Sequence, residues 1–70
     1  MQEIGIRDGE IKLQAFLKFA NAVGTGGEAK IRIVEGEVMV NDEICTMRGK
    51  KLHPGDTVTI DGDKYLVTEA

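Results

Sequence analysis

The apolar positions keep two rhythms along the chain, one near 3.6 residues in the first half and one of two residues in the second. Leu13, Phe16, Leu17 and Ala20 follow i, i+3, i+4, i+7, so the spacing predicts a helix over about 12–23 with one apolar stripe. Gly24 is placed to stop it. Thr25-Gly26-Gly27-Glu28 then fits a capping box, in which the Thr25 hydroxyl accepts from the Glu28 amide and the Glu28 carboxylate reaches back. A second helix is predicted to run to about Glu35 and stop at Gly36, with Ala29 and Ile33 inward and Lys30 outward in its first turn.

Alternation takes over elsewhere. Ile4 and Ile6 share one face of a short strand over residues 2–6, and Asp8-Gly9 signals a turn. Val38 and Val40 alternate with Glu37, Met39 and Asn41 in a half-buried strand, and Ile44 to Met47 return as its partner. Asn41-Asp42 between them can take the positive φ angles of a tight hairpin. Pro54 and Gly55 in His53-Pro54-Gly55-Asp56 are placed for a type II turn. Strands Thr57–Ile60 and Tyr65–Thr68 flank Asp61-Gly62-Asp63, another hairpin. Two consecutive helices packed on a small, mostly antiparallel sheet make an α+β domain.

Seventy residues are expected to form one domain, 1–70, without internal repeat or linker. A chain of this length buries only about 60% of its unfolded surface, which leaves little stability for an elaborate catalytic pocket. No apolar run is long enough to span a membrane. A lone cysteine, Cys45, and the lack of a basic region followed by an apolar run at the N-terminus are read as marks of a cytoplasmic protein.

The net charge of −3 runs against the basic balance usual for nucleic-acid binders. Charges further apart than about 8 Å are screened at physiological salt, however, so clustering decides. Five of the nine Lys and Arg residues fall in two windows, Lys30 with Arg32 and Arg48 with Lys50 and Lys51. Such cations, held near a helix start, are what phosphate contacts require. By spacing alone they describe a solvated charged face sooner than a binding groove.

Other chemistry is poorly supported. Gly24 to Lys30 lacks the second glycine and the hydroxyl of a phosphate loop, since Ala29 and Ile31 stand in those places. His53 reads as an exposed turn residue and Cys45 as a small hydrophobe in a strand, with no base to activate the thiol. No Cys and His spacing fits zinc, and no cofactor or small-molecule substrate is implied. Phe16 belongs to the core stripe, and Phe19 and Tyr65 are read as packing residues rather than base-stacking platforms.

The run Ala29-Lys30-Ile31-Arg32-Ile33-Val34-Glu35-Gly36-Glu37-Val38-Met39-Val40-Asn41, followed by Pro54-Gly55-Asp56-Thr57-Val58, resembles the RNA-binding domain family named after ribosomal small-subunit protein S-four. The likeness covers roughly residues 11 to 60 and is nearest to small free-standing bacterial members with Gly-Gly-x-Ala-Lys and Arg-x-x-Lys stretches. The resemblance implies non-enzymatic binding of structured RNA, ribosomal or transfer, alone or within a ribosomal particle. It points to Lys12, Lys30, Arg48 and Lys51, with Arg32 and Lys50 as neighbours. The chain departs from the family pattern at Lys12-Leu13-Gln14, Thr25-Gly26 and Asn41-Asp42, where Arg-Leu-Asp, Ser-Arg and Asn-Gly are usual. The alternatives are a protein-interaction adaptor on the same fold, through acidic turns or a strand edge, and DNA binding.

Overall fold

A computed structural model describes all residues, Met1–Ala70. The second helix forms where its capping box directs. Helix α2 spans Gly26–Val34, and the Thr25 hydroxyl accepts from the Glu28 amide at 3.1 Å. The Glu28 carboxylate reaches back one residue further than a standard box, to the Gly24 amide at 3.1 Å. Gly36 ends the helix with φ 77°, as the Gly36 amide donates to Ile33 and that of Glu37 to Arg32.

Helix α1 is shorter than its periodicity predicts, Leu13–Phe19. Asn21, not Gly24, stops it. Asn21 takes φ 62°, its amide donates to the Lys18 carbonyl, and the Ala22 amide donates to Leu17. This is the same pair of closing bonds seen at Gly36, with asparagine in the left-handed position. Ala20 and Val23 continue the apolar stripe beyond the helix and are buried all the same.

Seven strands complete the fold: β1 Gln2–Ile6, β2 Ile11–Lys12, β3 Val38–Val40, β4 Glu43–Ile44, β5 Lys51–Leu52, β6 Thr57–Ile60 and β7 Asp63–Glu69. Five pair in the order β1-β7-β6-β3-β4, and β2 with β5 form a separate antiparallel ribbon. Only β1 and β7 run parallel, Ile4 opposite Val67. Registers Val40↔Val58, Val38↔Ile60 and Val58↔Tyr65 put the alternating apolar residues of three strands on one face. That face meets Leu13, Phe16 and Leu17 of α1 and Ala29 and Ile33 of α2 in a single core. Phe16 meets Tyr65 edge to face, ring centres 6.4 Å apart.

The tight turns follow their sequences. Asn41 and Asp42 have φ of 52° and 68°, and Asp61 and Gly62 have 54° and 81°. The second turn holds two residues, because Asp63 already pairs with Ile60. Gly55, at φ 101°, fills the type II position, and the Asp56 amide donates to His53 at 2.9 Å.

Three expectations change. The strand expected over Ile44–Met47 stops at Ile44; Cys45, half-buried against the core, follows it in irregular backbone. Phe19 does not pack inside: it is 61% exposed, because the stripe that buries Phe16 and Leu17 turns its neighbour outward. Lys12 is extended rather than helical, since its pairing with Lys51 of β5 holds it. No helix is long and apolar enough to cross a membrane.

Candidate nucleic-acid interface

The ribbon of β2 and β5 brings together two lysines far apart in sequence. Lys12 and Lys51 lie directly opposite each other, so their side chains share one face with Cβ atoms about 5 Å apart. Lys12 also holds the N-cap position of α1, with extended backbone and no capping hydrogen bond. Ser, Thr, Asp or Asn there would satisfy an orphan amide. No acidic residue occupies the first turn of α1, so the positive end of the helix faces a cation. Three local preferences are broken at one residue, as is expected of a functional or strained position.

Backbone bonds draw two more cations to the same end. The Leu13 amide donates to the Lys50 carbonyl at 2.8 Å, and the Gln14 amide to the Arg48 carbonyl at 3.2 Å. The segment before β5 thus caps α1 with its own carbonyls, in place of the missing side-chain cap. Arg48 is exposed there. The Lys50 side chain lines a different concavity, beside Cys45 and Met47 against the β3–β4 hairpin, and its charge reaches Asp56.

Lys18, which the sequence reading passed over, shares a shallow concavity of about 200 Å³ with Lys12, Gln14, Ala15 and Gly26. The signal was available, since an inward Leu13, Phe16 and Leu17 leave Ala15 and Lys18 outward. Gln14 ties the floor together, donating from Nε2 to the Gly26 carbonyl at 3.3 Å.

Lys30 is exposed in the second turn of α2, not the first. It lines a separate shallow depression with Ile31, Val34 and Glu35. Arg32 lies two residues on, about 200° around the helix, and cannot face the same way. Its guanidinium bonds to Asp61 and Glu37, with Glu28 at 3.9 Å. The bonds to Asp61 and then Glu37 hold its pKa above the ordinary arginine value. Arg32 therefore clamps α2 to the β6–β7 turn, and the structure does not bring it into the lysine cluster.

The remaining cations differ in how free they are. Lys51 has Glu10 at 3.7 Å and Lys64 has Asp42 at 3.3 Å. Lys12, Lys18, Lys30, Arg48 and Lys50 have no carboxylate within 4 Å. His53 is exposed in its turn, as expected, 3.9 Å from both Glu10 and Asp56. Desolvation works to raise the Asp56 pKa, yet hydrogen bonds from Asn41 and the His53 amide hold it below the ordinary carboxylate value. That network joins the β3–β4 turn to the turn before β6.

The S4 domain family matches residues 4–68. The probable ribosome maturation protein RlbA of Bacillus subtilis (strain 168) is 50% identical over 52 residues, covering 74% of this chain and 73% of that protein. The solution structure of YbcJ from E. coli, described as an alfaL motif involved in RNA binding, is 30% identical with a TM-score of 0.66. That match covers 96% of this chain and 84% of YbcJ. The 30S ribosomal protein S4e of Thermoplasma acidophilum shares the fold at a TM-score of 0.64 and 19% identity. The match covers 84% of this chain but only 31% of the ribosomal protein.

Proposed function

We propose, from the premise that the chain belongs to the S4 domain family, that it is a non-enzymatic module for binding structured RNA. Its contacts are to the phosphate backbone, from Lys12, Arg48 and Lys51 at the start of α1 and Lys18 in its last turn, with Lys30 and Lys50 at the margins. The observation that carries the reading is Lys12, set opposite Lys51 at a helix start that has no side-chain cap. A folded chain gains nothing from that arrangement, whereas an anion bridging the two amines removes the repulsion.

A surface of this kind reads shape and backbone rather than base edges. The anionic whole is no obstacle, because charges further away than a Debye length of about 8 Å are screened and Lys12, Lys18 and Arg48 have no carboxylate within 4 Å. The name of the Bacillus subtilis relative favours ribosomal RNA in a maturing particle over transfer RNA. Arg32 has no part in the contact.

Titration against a structured ribosomal RNA fragment at two salt concentrations tests the reading. With about four to six phosphate contacts, affinity falls roughly a hundred-fold or more over a fourfold rise in salt. Binding that ignores salt, or no binding to any structured RNA, overturns it.

A further inference from the structure

The exposed ring of Phe19 stands in an open concavity of about 510 Å³, lined also by Ile6, Arg7, Asp8, Glu10 and Ile11. We infer that this concavity takes an unpaired RNA base, stacked on Phe19 with its flanking phosphate against Arg7. The inference rests on the RNA-binding reading above and extends it from backbone to base.

Position comes first. Phe19 is the last residue of α1, about 9 Å along the axis from Leu13, the residue that follows Lys12. A strand held at Lys12 has that distance to cross to reach the ring. Glu10 joins the two regions, since it lines the concavity and forms an ion pair with Lys51 at 3.7 Å. Chemistry agrees with position. Every base offers a π-face to a flat apolar ring, and Arg7 has no carboxylate within 4 Å. Asp8 and Glu10 accept the exocyclic amines of adenine, cytosine or guanine and repel a bare phosphate, so the pocket suits a base better than backbone. Uracil, which has no such amine, is the poorest fit.

The test uses a blunt RNA duplex and the same duplex carrying an unpaired adenosine extension. Phe19→Ala removes a largely exposed ring, and circular dichroism confirms that the fold is kept. Its affinity for the extended probe should fall about five- to a hundred-fold, with the blunt duplex bound as by the unsubstituted chain. The chain has no tryptophan, so Phe19→Trp supplies a single indole that can be excited apart from Tyr65. Its emission should be quenched by the extended probe and not by the duplex. Normal binding of both probes by Phe19→Ala, equal weakening on both, or unmoved tryptophan emission overturns the inference and leaves the RNA-binding reading standing. Failure of the unsubstituted chain to bind either probe overturns both.

Discussion

Lys12→Glu should strengthen the fold and weaken RNA binding at the same time. In the folded chain Lys12 opposes Lys51, caps nothing and adds positive charge to the positive end of α1. Glutamate turns a like-charge cross-strand pair into an opposite-charge one, worth about 0.2–1 kcal/mol. It also meets the helix end with the favourable sign, worth about 0.3–1 kcal/mol at an exposed site. Lys51 is already shared with Glu10, and water screens all of these groups, so the realistic sum is about 0.5–1 kcal/mol. For a domain of this size that raises the melting temperature by roughly 2–8 °C. Binding moves the other way. Loss of one phosphate contact lowers the slope of log affinity against log salt by about 0.7–0.9. The assays are thermal unfolding by circular dichroism and RNA titration over a salt series. A variant less stable than the parent, or one with an unchanged salt slope, would refute the reasoning, because the cost and the benefit are assigned to the same amine.

Two further perturbations separate scaffold from surface. Arg32→Ala removes the clamp between α2 and the β6–β7 turn, so its melting temperature should fall while RNA affinity at fixed salt stays unchanged; a large loss of affinity with intact stability would return Arg32 to the interface. Asp56→Asn should cost about 1–2 kcal/mol at neutral pH, since the carboxylate accepts from Asn41 and from the His53 amide. The folded-state pKa of Asp56 is lowered, so its contribution is present above the unfolded value of about 3.9 and disappears as pH falls through the lower folded value. Urea unfolding of parent and variant should therefore differ at pH 7 and converge in strong acid; a constant gap would contradict this assignment.

Much of the fold can be read in the sequence where local signals agree. Thr25, Glu28 and Gly36 bracket α2, and the doublets Asn41-Asp42 and Asp61-Gly62 lie at turns whose flanking strands alternate. The failures come where tertiary pairing competes with periodicity. The apolar stripe through Ala20 and Val23 continued past the end of α1, because burial keeps no record of whether the backbone is still helical. Asn21 gave a weaker stop signal than Gly24 and still took the left-handed position. The ribbon of β2 with β5, two residues a strand, is too short to alternate, so the opposition of Lys12 and Lys51 was invisible. Arg32 and Lys30 look like one basic window in sequence, yet the helix turns them to different sides. The S4 resemblance points to Lys12, Lys30, Arg48 and Lys51; the capping of α1 by the Arg48 and Lys50 carbonyls brings the segments of three of them together, while Lys30 stands apart on α2.

The most direct measurement is amide chemical-shift mapping by NMR while structured ribosomal RNA is added to the labelled chain. The account predicts the largest changes at Lys12, Gln14, Lys18 and Arg48 to Lys51, smaller ones at Lys30, and none at Glu37 or Asp61. Changes centred on the Arg32 clamp, or spread evenly over the sheet face, would contradict it.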